Sequence, residues 1–251
     1  MKTVYFNEYN VQMGNYSYLP LVSGLLQSYS QTFDEIKNNY EFMPFIYEMA
    51  SPEKILEQYI KPPDIAAFSC LMWNEQLNYH IAAEIKKQYP NCLIIFGGPN
   101  VPMPPQHSVI DWMKNKPFID VAVRAEGEES FVEILKKYIN DNTLLDIPSV
   151  ATRYNSEIIF CDKPWPFKRD LSEYPSPYLE GLYTDILLLR QNTNKKFQAI
   201  IETNRGCPFP CVTKDTMITT GFGQNSKRAD RVVEGDVLLA FDEKTGKLVE
   251  T

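Results

Sequence analysis

The stretch DIAAFSCLMWNEQLNYHIAAEIKKQYPNCLIIFGGP, residues 64–99, decides the fold. A short apolar run (DIAAFSC) is followed by a long helical pattern (NEQLNYHIAAEIKKQYP) and then by a second apolar run (CLIIFGG). Two strands joined by a helix lie parallel in one sheet, because only a crossover of that length returns the chain to the same end. The same alternation recurs on either side. TVYF precedes PLVSGLLQSY, FMPFIY precedes SPEKILEQYI, CLIIFGG precedes PPQHSVIDWM, and IDVAV precedes EESFVEILKKYI. Five strand–helix units in residues 1–140 predict an α/β, doubly wound (Rossmann- or flavodoxin-like) five-stranded parallel sheet with helices on both faces.

Sheets of this kind bind ligands outside the carboxyl ends of their strands, where the strand order reverses. Small or bendable residues stand at three of those ends: Ser69 after the third strand, Gly97, Gly98 and Pro99 after the fourth, and Glu126, Gly127 and Glu128 after the fifth. Each glycine serves equally well as a tight-turn residue or as a place where backbone approaches a bulky ligand. Their grouping at one end favours the ligand.

Composition narrows the function classes. The chain of 251 residues has a net charge of -7 and its densest positive cluster is SKRADR at 226–231, which gives nucleic acid little to bind. No apolar run is long enough to span a bilayer, and MKTVYFNEYN opens directly as a strand, so the expected location is the cytoplasm. The five cysteines, 70, 92, 161, 207 and 211, are an odd set in a chain too long to need disulfide staples. Cys207 and Cys211, four apart, read as ligands or nucleophiles. His80 lies within the helix of the opening stretch and His107 in the loop after GGP.

Beyond residue 140 the pattern loosens. Residues 141–196 read as a linker, with a hairpin in SVATRYNSEIIF and then the proline-rich CDKPWPFKRDLSEYPSPYLEGL. Residues 197–210 start a new strand, KFQAIIETNRG, that delivers Cys207 on a loop. From Cys211 to 251 short β-like runs, TMITT, DVLLAFD and KLVE, replace the helical pattern, and DEKTGK reads as a hairpin turn.

Two resemblances cover the chain. Up to residue 211 the sheet, the FGGP and AEGEES loops, PSPYLEGL and NRGCPFPC resemble the cobalamin-binding radical S-adenosylmethionine (SAM) enzymes. The resemblance implies cobalamin on the doubly wound domain. It further implies that residues 197–210 are the first strand and cluster loop of a radical-SAM barrel, with a [4Fe–4S] cluster held by a C-x-x-x-C-x-x-C motif and S-adenosylmethionine chelated to the open iron. This chain departs from it twice. Neither histidine lies in the D-x-H-x-x-G setting of a cobalt ligand, and Lys214 stands where the third cluster cysteine belongs.

From Cys211 onward VTKDTMI and VVEGDVLLAFDEKTGK resemble the N-terminal part of an intein, a self-excising domain of the Hint fold. That resemblance makes Cys211 the splice nucleophile, with Pro210 as acyl donor, and admits a complementary C-terminal intein chain as partner. Two other readings remain open: a corrinoid-binding module without catalysis, and one half of a split intein acting in trans. The substrate of the host enzyme is not encoded in these residues.

Overall fold

The computed structural model describes residues 1–12, 14–102, 107–140, 142–165, 170–189, 196–202, 217–220, 226–228, 231–233, 236–237, 239–242 and 247–250. They fall into two compact units, 1–201 and 202–251.

The first unit runs β1 (Lys2–Asn10), β2 (Tyr16–Tyr18), α1 (Leu21–Ser30), α2 (Asp34–Asn39), β3 (Tyr40–Phe42), β4 (Ile46–Glu48) and α3 (Pro52–Leu56). It continues with β5 (Ile65–Ser69), α4 (Glu75–Gln88), β6 (Leu93–Gly97), α5 (His107–Lys114), β7 (Val121–Val123) and α6 (Glu128–Ile139). β8 (Val150–Tyr154), β9 (Glu157–Phe160), a 3-10 turn (Leu171–Glu173), α7 (Thr184–Leu189) and β10 (Lys196–Gln198) complete it. The second unit contains β11 (Met217–Thr219), β12 (Ser226–Arg228), β13 (Leu239–Asp242) and β14 (Lys247–Glu250).

The expected parallel strands form, inside a larger sheet. Its order is β3-β1-β5-β6-β7-β8-β9, with β4 also on β1, eight strands in all. β3 and β4 both run parallel to β1, one after the other, where the sequence shows the single run FMPFIY. Pro44 lies between them and lacks the N–H that a continuous ladder requires. The hairpin read from sequence as part of a linker is instead the antiparallel edge of this sheet, β8 on β7 and β9 on β8. Asn155 and Ser156 turn that hairpin with φ of 48° and 68°, the left-handed pair of a tight two-residue loop.

Each face of the sheet carries its own core. Tyr5, Phe68, Ile94 and Phe96 pack with Ile81 and Ile85 of α4 and with Val109 and Met113 of α5 on one face. Val4, Phe6, Ile65, Ile95 and Val121 pack with Phe131 and Leu135 of α6 on the other. Strand residues alternate between these cores, and because both faces are covered the strands read as unbroken apolar runs. Each fully buried Ile or Phe here contributes about 2 kcal/mol.

The proline-rich stretch is docked rather than loose. Tyr174 sets its ring edge-on to Tyr29 of α1 at 4.9 Å. Ser28 Oγ donates to the Pro175 carbonyl at 2.8 Å, and Tyr183 Oη donates to the Pro20 carbonyl at 2.9 Å. A Cβ at Gly24 would run into the Tyr183 hydroxyl and would lie 2.8 Å from Pro177, so only glycine lets this stretch lie on α1. β10 then pairs in parallel with β2, Phe197 opposite Ser17, apart from the main sheet.

In the second unit β11 pairs with β12 and β13 with β14, each pair antiparallel. The β-like runs at TMITT, DVLLAFD and KLVE each contain a strand, and β12 adds a fourth that the sequence pattern did not show. Lys227 Nζ holds both oxygens of Asp236 at 2.8 and 2.7 Å, and Asp236 also accepts from the Val233 N–H. No helix of the described residues is long and apolar enough to cross a membrane.

Candidate functional site

Strand order reverses beside β1. The chain leaves β1 for β3 and β4 on one side, then returns to build β5, β6 and β7 on the other. In sheets of this kind the ligand crevice lies at such a reversal, which here means outside the carboxyl ends of β1 and β5.

A buried amide network floors it. Asn74, wholly buried at the start of α4, donates to the carbonyls of Tyr9 (3.2 Å) and Ser69 (3.0 Å), one at the end of each strand. Its own oxygen accepts from Leu71 N (2.8 Å) and from Asn78 Nδ2 (3.0 Å), and Asn78 also donates to Ser69 O. The two strand ends are thereby tied at fixed spacing. Trp73 adds an indole N–H to Tyr9 O at 3.2 Å and leaves its ring half exposed. Around it the rim shows Val11 after β1, Met49 after β4 and Met72 after β5, the last 80% exposed. Large apolar side chains at the mouth of a polar, tied crevice suit a broad apolar ligand.

Ser69 and Gly97 stand opposite each other at the ends of β5 and β6, as their places in the sequence suggested. Gly97 has open space where a Cβ would point, with only Val123 Cβ within reach at 3.9 Å. Gly98 differs. Its φ is +106°, and a Cβ there would lie 2.8 Å from the Cys70 carbonyl oxygen, so packing of two loops by itself requires glycine here. Cys70 N donates to Gly97 O and Asn100 N donates back to Cys70 O, which closes that contact. Pro99 is exposed beside it.

Glu126, Gly127 and Glu128 lie further along the same rim, after β7. Gly127 caps α6, and Glu128 is buried in its first turn. Ala125 before them has φ of +63°, a strained setting for a side-chain residue. Arg124, 4% exposed, lies over the Phe160 ring at 4.7 Å, its Nε and Nη1 sealed from solvent without a hydrogen-bond partner. Burial lowers its pKa, against a raising influence of Asp162.

Glu8 was not foreseen, although a carboxylate in the strand KTVYFNEYN, otherwise buried along nearly its whole length, is a signal in itself. Only 4% exposed, it accepts from Ser23 N at 2.7 Å and from Ser23 Oγ at 2.8 Å. Burial raises its pKa to about 6, opposed by these bonds and by the Val22 N–H and Asn10.

Burial pushes the thiols of Cys70 and Cys92 up to about 12, so both are inert at neutral pH. His80 is exposed on α4, as expected of a solvated helical residue. Among the described residues no cluster of three His, Cys, Asp or Glu side chains is placed to hold a metal ion. Cys207, Pro210, Cys211 and Lys214 lie outside the described residues, as does the side chain of His107.

No protein-family profile matches the chain. It is 33% identical over 204 residues to the cobalamin-dependent radical SAM methyltransferase TokK of Streptomyces tokunonensis, covering 81% of this chain and 29% of that protein. Over 208 residues it is 31% identical to the 2-(S-pantetheinyl)-carbapenam-3-carboxylate methyltransferase of Streptantibioticus cattleyicolor, covering 82% and 30%. The cobalamin-dependent S-adenosylmethionine radical enzyme OxsB, solved with aqua-cobalamin and S-adenosylmethionine bound, shares the fold. Its TM-score is 0.55 at 18% identity, over 74% of this chain and 25% of that one. The chain thus spans less than a third of the length of these two curated relatives.

Proposed function

We propose, from the premise that relatives of this chain are cobalamin-dependent radical SAM methyltransferases, that residues 1–201 are the corrinoid-holding part of such an enzyme. The observation that carries this reading is the rim beside β1 and β5: the strand order reverses there, Asn74 and Asn78 tie the strand ends, and Val11, Met49, Met72 and Trp73 are exposed around them. Corrinoids are broad, largely apolar macrocycles with amide arms, and the residues present fit one. Ser69 and Gly97 border the approach, and Glu126, Gly127 and Glu128 lie further along the same rim. A bound corrinoid supplies a cobalt centre for methyl transfer, and the protein contributes position and exclusion of water. Neither His80 nor His107 stands in a D-x-H-x-x-G sequence, so the reading has no histidine on the cobalt.

Hydroxocobalamin mixed with the protein should be retained on desalting at one equivalent, seen by its visible absorbance. Gly97→Val fills the one open glycine position on the rim and should abolish retention while leaving the circular dichroism unchanged. Retention by Gly97→Val, or none by the parent, defeats the reading.

Cys207 and Cys211 belong to the second part of the proposal. Cys207 is the first cysteine of the cluster motif, and Lys214 in place of the third leaves this chain short of the thiolates that hold a [4Fe–4S] cluster and S-adenosylmethionine. Residues 211–251 are then the N-terminal piece of an intein inserted in that motif. What supports it is a run of short antiparallel strand pairs where a barrel enzyme needs a helix. The Cys211 thiol attacks the Pro210 carbonyl carbon, the C–N bond breaks, and a thioester forms as the Cys211 amine takes up a proton. The remaining blocks of the intein supply the later steps, and the spliced enzyme regains its cluster. Mass spectrometry after mixing with such a fragment should show residues 1–210 transferred; Cys211→Ala should stop this and Cys207→Ala should not.

A further inference from the structure

In doubly wound domains the first strand–helix turn commonly receives the anionic part of a ligand, because the helix N-terminus offers free N–H groups and a positive dipole end. Here that position is taken. α1 starts after Pro20 with no side-chain cap of its own, and Glu8 reaches across from the end of β1 to accept from the N–H and hydroxyl of Ser23. The carboxylate is almost fully buried and has the place an incoming phosphate would use.

Other helices that rise from this rim follow suit. α4 carries Glu75 in its first turn, bonded by the Tyr79 hydroxyl at 2.6 Å. α6 carries Glu128 and Glu129, the latter bonded by the Tyr29 hydroxyl at 2.9 Å. Arg124, just before the α6 end of the rim, has unpartnered nitrogens sealed from solvent beside Phe160 and is closed to a ligand, and Lys116, the cation that Glu75 acts on, lies over the rings of Tyr79 and Trp112.

We propose that Glu8 is a specificity-determining residue: it occupies the α1 N-terminus so that the rim rejects phosphate-led nucleotides and admits ligand groups that are uncharged, donate hydrogen bonds or carry positive charge. The amide arms of a corrinoid ring meet this condition, whereas the phosphodiester of a cobalamin's nucleotide tail would have to lie away from the α1 end. The inference rests on the corrinoid reading for its choice of ligand, but its own test does not use a corrinoid.

The probe is inorganic pyrophosphate, followed by titration calorimetry. The parent should show no binding at neutral pH, while Glu8→Ala, which frees the Val22 and Ser23 N–H groups, should bind it at least about tenfold more tightly. Glu8→Gln keeps an acceptor for Ser23 and removes only the charge; it should show a smaller gain, and it decides the matter if Glu8→Ala does not fold. A third arm needs no variant. Lowering the pH of the parent from 7.5 to 5 protonates Glu8, and binding should appear although the probe itself is less charged. The titratable groups that face Glu8 from the docked stretch are the phenols of Tyr178 and Tyr183, both raised by burial and both neutral across this range.

Pyrophosphate bound by the parent at pH 7.5 as well as by a folded Glu8 variant would overturn the proposal. So would a folded variant that stays as unresponsive as the parent. Failure of the parent to retain hydroxocobalamin, with the anion response of the variants intact, would remove the corrinoid reading and leave the selectivity in place.

Discussion

Residues 1–201 and 202–251 are built on opposite plans, and the contrast shows what each needs to hold its shape. The first unit covers both faces of an eight-stranded sheet with helices, so its strands are anchored by neighbours far apart in sequence. The second consists, among its described residues, of two separate strand pairs held by local bonds and by the Lys227–Asp236 clasp. A lone two-stranded pair is marginal in water, whereas a sheet packed on both faces is not. The first unit should therefore behave as a cooperative body.

The sharpest way to test this contrast is to strike the first unit where its backbone has no slack. Gly98→Ala forces a side chain into a φ of +106° and against the Cys70 backbone, which should cost about 3 kcal/mol. The midpoint of chemical denaturation, read by far-ultraviolet dichroism, should fall accordingly. Backbone NMR shifts of Met217–Thr219 and Leu239–Asp242 should stay put. If they moved as well, the two units would not be independent.

A second substitution tests whether the docked stretch belongs to the first unit. Gly24→Ala puts a methyl where the Tyr183 hydroxyl and Pro177 lie, and displacing them should cost about 2 kcal/mol. It should also turn residues 175–189 into a site of early proteolysis. Unchanged cleavage would mean that the stretch holds to α1 without this contact.

Glu8 sharpens the comparison through pH. Its folded pKa is raised from the ordinary 4.5 to about 6 by burial, so the folded chain binds a proton more tightly than the unfolded one. The stability this contributes is fully present below pH 4.5 and is lost as pH rises through 6, by about 2 kcal/mol. Denaturation of the parent and of Glu8→Gln between pH 4 and 7 should show the parent losing about 2 kcal/mol relative to the variant as pH rises through that window. A difference that is flat with pH would mean an ordinary carboxyl.

The smallest effect belongs to the second unit. Lys227→Ala breaks a partly exposed ion pair and should change global stability by less than about 1 kcal/mol. Exchange of the Val233 amide, which rests on Asp236, should still quicken. A large loss of overall stability would show that this clasp supports more than its own loop.

Much of the fold is legible in the residues. Apolar runs such as IAAFS and LIIFG, each followed by a helical pattern, leave little choice but parallel strands with crossover helices, because local periodicity and chain length act before any distant contact forms. Gly97 and Ser69 at the strand ends are legible for the same reason, as is the change of pattern after residue 211.

What the sequence did not show depends on residues far apart in the chain. The hairpin at 150–160 carries strand signals but nothing that says which edge it joins; that was decided by the free side of β7. That Gly98 must be glycine for the Cys70 backbone to lie against it could be read only from the fold. The proline-rich stretch read as a tether, and only the bare face of α1 at Gly24 could show that it docks. Glu8 is fifteen residues from Ser23, in a strand whose partners come from three other segments, so its burial and its capping of α1 follow from how the sheet is wound. Local pattern sets which elements form. Packing between distant elements decides which side chains are shut away from water, and with them the charge of the site.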